Sequence, residues 1–67
     1  MIDAKADYVV FLDDPSNVGL GHTTCTVKGE QVAQALVGHD RFYTFQDIES
    51  GKRIIVNLDR VIRIVPK

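Results

Sequence analysis

Sixty-seven residues, 45% hydrophobic and 25% charged, describe one folded domain spanning 1–67 and exclude a disordered tail. So short a chain buries only about 60% of the surface that its unfolded form exposes, and the single Cys25 excludes an internal disulfide, so self-association is expected to supplement a small core. The net charge of −1 hides an asymmetry: residues 1–50 carry eight acids against three bases, and residues 51–67 carry five bases against one acid.

Tyr8-Val9-Val10-Phe11-Leu12 is a continuous run of aromatic and branched residues, short enough for a strand and apolar enough to be covered on both faces. It stops at Asp13-Asp14-Pro15, because proline cannot donate to a ladder, and Asp14 to Gly21 gathers nearly every turn-forming residue type. A loop of about eight residues is long for a hairpin, and such loops are places where binding residues can live.

Thr23 to Val27 is β-branched and alternates, with Cys25 and Val27 on one side and Thr24 and Thr26 on a wet side. Gly29 reads as a helix N-cap with Glu30 in the first turn, and Val32, Ala33, Ala35, Leu36 and Val37 then follow a helical period. Val32 and Leu36 share a stripe, and Gly38 supplies a left-handed stop. A helix of about two turns is marginal alone and depends on packing against a sheet.

Phe42 to Ile48 has strand composition, and Glu49-Ser50-Gly51 reads as a three-residue hairpin loop with its glycine at positive φ. The returning strand, Arg53 to Leu58, puts Ile54, Val56 and Leu58 on one face and Arg53, Ile55 and Asn57 on the other. After a polar kink at Asn57-Leu58-Asp59, Val61 to Val65 forms a last strand ended by Pro66. Ile54, Val56, Leu58, Val61, Ile62 and Ile64 are expected in the core, and Val61, Arg63 and Val65 on the opposite face, half apolar and half charged as a subunit interface or a nucleic-acid platform would be. The reading is an α+β domain of order β-β-α-β-β-β.

Little in the chain points to catalysis. His22 and Cys25 stand at an H-x-x-C spacing, with His39, Asp13 and Asp14 as further possible ligands, but zinc needs four placed ligands, or three and a water. On a strand His22 and Cys25 also point to opposite faces. Cys25 with either histidine lacks the pocket and oxyanion donors that a nucleophile requires. Asp13-Asp14 ahead of a proline reads as a turn, and Gly19-x-Gly21 lacks the lysine and helix start of a phosphate loop. No catalytic residue, metal or cofactor is expected, and the chain is read as no enzyme.

The aromatic and basic residues admit a second reading. Tyr43, as the exposed ring, with Lys52, Arg53, Arg60, Arg63 and Lys67 could stack and neutralise a nucleic acid, while Phe42 and Phe45 fill the core. The same cations could equally solvate the outer faces of strands, or meet the acidic half of another copy. No apolar stretch approaches the roughly 20 residues of a membrane span. With no secretory pattern at residues 1–12 and one cysteine, a cytoplasmic location is expected and a membrane partner is not.

From Asp40 to Pro66 the chain resembles the second half of Sm-like proteins, including the bacterial ring-forming host-factor RNA chaperones. Asp40-Arg41-Phe42 precedes a strand, Ser50-Gly51 makes a short turn, and Ile54-Ile55-Val56 leads through Asn57-Leu58-Asp59-Arg60 into Val61 to Pro66. The resemblance implies a strongly bent antiparallel sheet that forms homo-oligomers, and beyond that an RNA-binding role. Two departures accompany it: the helix lies between the second and third strands rather than before the first, and the turn at 57–60 lacks the family's RNA-contacting lysine and histidine. The leading expectation is a non-catalytic binding or regulatory module that self-associates through its sheet; the alternative is an Sm-like nucleic-acid binder, and the last is a small enzyme or metal-binding domain.

Overall fold

A computed structural model describes residues 2–38 and 40–67, and it is an α+β domain of five strands and one helix. In chain order these are β1 (Asp7–Asp13), β2 (His22–Lys28), α1 (Gly29–Val37), β3 (Phe42–Gln46), β4 (Arg53–Asn57), a 3₁₀ turn (Leu58–Arg60) and β5 (Val61–Pro66). All pairings are antiparallel. The ladder divides into a three-stranded sheet of order β2-β1-β5 and a β3-β4 hairpin.

β1 lies centrally, as its apolar run requires, but only one of its faces is fully buried. Tyr8 and Val10 enter the core opposite Val27 and Cys25, while Val9 and Phe11 lie half-covered on the other face. The core is Tyr8, Val10, Cys25, Val27, Val32, Ala35, Phe45 and Val56, with Leu12, Tyr43, Ile54, Leu58, Val61 and Ile64 packed around it. One layer is the three-stranded sheet; the helix and the inner face of the hairpin supply the rest. Alternation places Tyr43 and Phe45 on that inner face opposite Val56 and Ile54.

Thr26 departs from the expected wet face and is buried. The turn after β3 comes against it: Ile48 N–H donates to the Thr26 carbonyl (2.8 Å), Thr26 N–H to Asp47 Oδ1 (3.2 Å) and Thr26 Oγ1 to Glu49 Oε1 (3.3 Å). These contacts fasten the hairpin to the outer edge of β2.

α1 buries Gly29, Val32 and Ala35. Leu36, expected beside Val32, is 64% exposed: it lies roughly 6 Å further along the axis. The caps also differ from expectation. Lys28 is the N-cap, without a side-chain cap, and Gly38 has φ −74°, ψ 160°, so the chain leaves the helix directly in extended form. Its N–H still closes the last turn on the Gln34 carbonyl (3.0 Å). Gly29 is glycine for another reason: a Cβ there would fall on the Asp3 carbonyl and within 2.9 Å of the Tyr8 ring.

The turn between β3 and β4 has Gly51 at φ 74°, as a tight reversal needs. It is longer than three residues, closing at Asp47 N–H to the Lys52 carbonyl (2.8 Å). Between β4 and β5, Asn57 Oδ1 accepts from Asp59 N–H (3.0 Å) and steers the chain into the 3₁₀ turn.

β5 carries a bulge that overturns part of the expected facing. Leu12 pairs with Val61 but Phe11 pairs with Arg63, which leaves Ile62 as the extra residue. Val61 and Ile64 therefore pack toward the core while Ile62 is 56% exposed, and Arg63 and Val65 lie on the outer face without Val61.

Gly29→Ala should lower unfolding stability by about 1–3 kcal/mol in a urea titration, because the collision is with backbone that cannot rotate away. Gly19→Ala is the matched control: no atom lies within 4 Å of its added Cβ, and its stability should stay near wild type.

Candidate functional site

The edges of the strands locate the site. β2's outer edge is held at Thr26 by Asp47 and Ile48, and β3 is tied to α1 by one backbone donor, Gln46 N–H to Gln31 Oε1 (3.0 Å), and one side chain, Tyr43 O–H to Gln34 Oε1 (2.9 Å). β5 pairs with β1 alone, but its free edge is interrupted by the bulge and ended by Pro66, both devices that discourage further pairing. Among the described residues β4 pairs with β3 alone, and it has neither device. Its outer-face residue Ile55 is 75% exposed.

Beside β4 lies a cleft of about 260 Å³. Leu12, Ile54, Ile55 and Val56 make its apolar wall, and Asp13, Asp14, Thr23, Asn57 and Arg60 its polar one. The Asp14 carboxylate accepts from Ser16 Oγ and Thr23 Oγ1 (both 2.6 Å) and from Ser16 N–H (3.2 Å). These bonds, the Ser16 hydroxyl first, and the Arg60 charge hold its carboxyl below the usual 3.8. Asn17 Nδ2 donates to the His22 carbonyl (2.8 Å), so the 14–21 loop has an internal frame. At its tip Val18 and Leu20 stand exposed. A second hollow, about 280 Å³, lies between α1 and the 47–51 turn, lined by Lys28, Gln31, Gln46 and Ile48. Both are below the roughly 300 Å³ at which small-molecule pockets begin.

Cys25 and His22 do point apart. Cys25 is buried beside Val10, and burial, then the Asp47 charge, pushes its thiol up, away from the thiolate a nucleophile needs. His22 leans on the Phe11 ring (5.3 Å between centroids) and donates from Nδ1 to the Leu20 carbonyl (3.1 Å). His39 lies outside the described residues. Among the described residues no three metal-ligating side chains converge.

Of the residues proposed for nucleic acid, Arg63 and Lys67 share the outer face of the three-stranded sheet, and the others lie elsewhere. Tyr43 is half-buried on the inner face, edge-on to Phe45 (4.9 Å); the exposed ring is Phe42, at 56%. The alternation signal was available, since Phe45 as core puts Tyr43 inward and Phe42 outward. Lys67 Nζ is bound to Glu49 Oε1 (2.6 Å), and Arg63 stacks over Phe11 (4.4 Å to the centroid). Arg60 lines the cleft, while Lys52 and Arg53 stand at the far end of β4, beside the hairpin turn. The remaining proposed interface residue, Val65, pairs with Val9 behind Arg63.

Comparison with known protein families, characterised proteins and solved structures gives no match to this chain. No helix among the described residues is long and apolar enough to cross a membrane.

Two carboxylates beside Thr26 join Asp14 in being depressed: Asp47, chiefly by the Ser50 hydroxyl, and Glu49, chiefly by Lys67. A folded-state pKa below the unfolded one contributes stability that is present above the ordinary values of 3.8 and 4.5 and is lost as pH falls through the folded pKa. The urea midpoint should therefore hold down to about pH 5 and fall below about pH 4. Asp47→Asn should lower the midpoint at neutral pH and flatten that acid limb.

Proposed function

We propose that this chain is a non-catalytic binding module that self-associates through its sheet. The observation that carries the reading is β4: a five-residue strand with an unpaired edge and an exposed isoleucine at its centre, in a domain where β2 and β3 are each tied at one residue of their outer edges, Thr26 and Gln46, and β5 is interrupted by a bulge. Such an edge is a template for another strand. The need for added buried surface supports the same reading, because a hairpin pairing only with itself gains little stability from its own ladder.

The non-catalytic part is supported by the only thiol being buried and held protonated, and by Asp14 being engaged in framing its own loop. Of the cations that would serve nucleic acid, Arg60 lines the cleft and Lys52 and Arg53 stand beside the hairpin turn, while Lys67 and Arg63 are engaged by Glu49 and Phe11.

Light scattering at ~50 mM and ~500 mM salt tests the proposal, since aliphatic and backbone contacts are not screened while exposed ion pairs are. The expected result is one assembly larger than the monomer, of unchanged mass at both salts. A strict monomer at high protein concentration contradicts the proposal, and an assembly that dissolves in salt assigns the contact to charge pairing instead.

A further inference from the structure

We infer that the strand which occupies the free edge of β4 is β4 of a second copy, paired antiparallel about a two-fold axis at Ile55. The inference rests on the self-association proposed above and specifies its seam.

The strand is self-complementary. Read against itself about its centre, Arg53-Ile54-Ile55-Val56-Asn57 sets Ile55 opposite Ile55 of the second copy, Ile54 opposite Val56, and Arg53 opposite Asn57. No like charges face each other, and directly opposed like charges are what destabilises an antiparallel pair. The single cation meets an amide whose Oδ1 can accept from it. On the outer face the two Ile55 side chains cover one another, and Phe42, diagonal to Ile55 within each hairpin, extends the apolar stripe on both sides.

Pairing also relieves a weakness of the fold. The two-stranded β3-β4 sheet becomes the four-stranded order β3-β4-β4-β3, past the three strands at which a sheet with an apolar face becomes independently stable. The contact is isologous and uses the one free β4 edge of each copy, so it closes at two copies and does not propagate into a fibre. β5 could not serve in the same way, because its bulge breaks the row of donors and acceptors and Pro66 lacks an N–H.

Three variants read by light scattering test this. Ile55→Lys opposes two ammonium groups at the axis and should raise the dissociation constant roughly tenfold or more. Ile62→Lys, an equally drastic change at an exposed isoleucine on the bulged strand, should leave the mass unchanged. Ile55→Cys, oxidised, should yield a dimer whose disulfide joins the introduced thiols at position 55, mapped by peptide mass spectrometry apart from the buried Cys25. Ile55 is 75% exposed, so circular dichroism should match wild type in the variants at that position, and the cysteine variant decides the matter even if the lysine variant misfolds. If wild type assembles but Ile55→Lys has no effect and no such disulfide forms, the seam lies elsewhere and β4 is left for an extended segment of a different protein. If wild type is a monomer at every concentration, self-association itself falls, and this inference falls with it.

Discussion

The tie between the β3-β4 turn and the edge of β2 organises the molecule. Ile48 N–H on the Thr26 carbonyl and Thr26 N–H on Asp47 give β2 an edge partner that is a turn rather than a strand, and they seat the hairpin over the core. Phe45 and Val56 are brought against Val10, Val27 and Val32, and the hairpin's outer face is turned away. The same tie decides which edges remain. β2 is tied to the turn at Thr26 and β3 to the helix at Gln46, whereas among the described residues the outer edges of β4 and β5 carry no such tie, and the bulge and proline interrupt β5.

The charge asymmetry of the sequence is partly resolved inside the fold. Lys67 closes on Glu49 across the outer face of the three-stranded sheet, Arg60 sits close enough to lower the Asp14 carboxyl, and Arg63 lies over Phe11. A basic C-terminal segment therefore complements the acidic loops of its own chain. Surface pairs of this kind add little stability singly. Their larger effect is on what the segment has left to offer a polyanion.

The order of elements was legible in the sequence because it depends on local signals: the apolar run at Tyr8 to Leu12, the turn residues from Asp14 to Gly21, and the alternation of Ile54 and Val56. What was not legible depends on register and on segments distant in the chain. Thr26 is β-branched and polar in a strand pattern, and only the arrival of Asp47, Ile48 and Glu49 buries it. The bulge at Ile62 leaves the composition of β5 unchanged while moving Val61 to the other face, which removes Val61 from the expected interface. Gly29 resembled a cap and is instead the point where residue 3 passes too close for a Cβ. The site followed the same division: the face of Ile55 could be read from alternation, but the absence of a neighbour on β4's second edge is a property of the assembled fold.

The central claim is that β4 presents an edge which pairs when copies meet, and amide hydrogen exchange at low and high protein concentration addresses it most directly. In an antiparallel strand alternate amides point away from the existing partner. The β4 amides directed away from β3 should exchange quickly in dilute protein and slow markedly as concentration rises, while the outward amides of β5 keep one rate throughout. Outward β4 amides that exchange equally fast at both concentrations, in protein that light scattering finds assembled, would contradict the account.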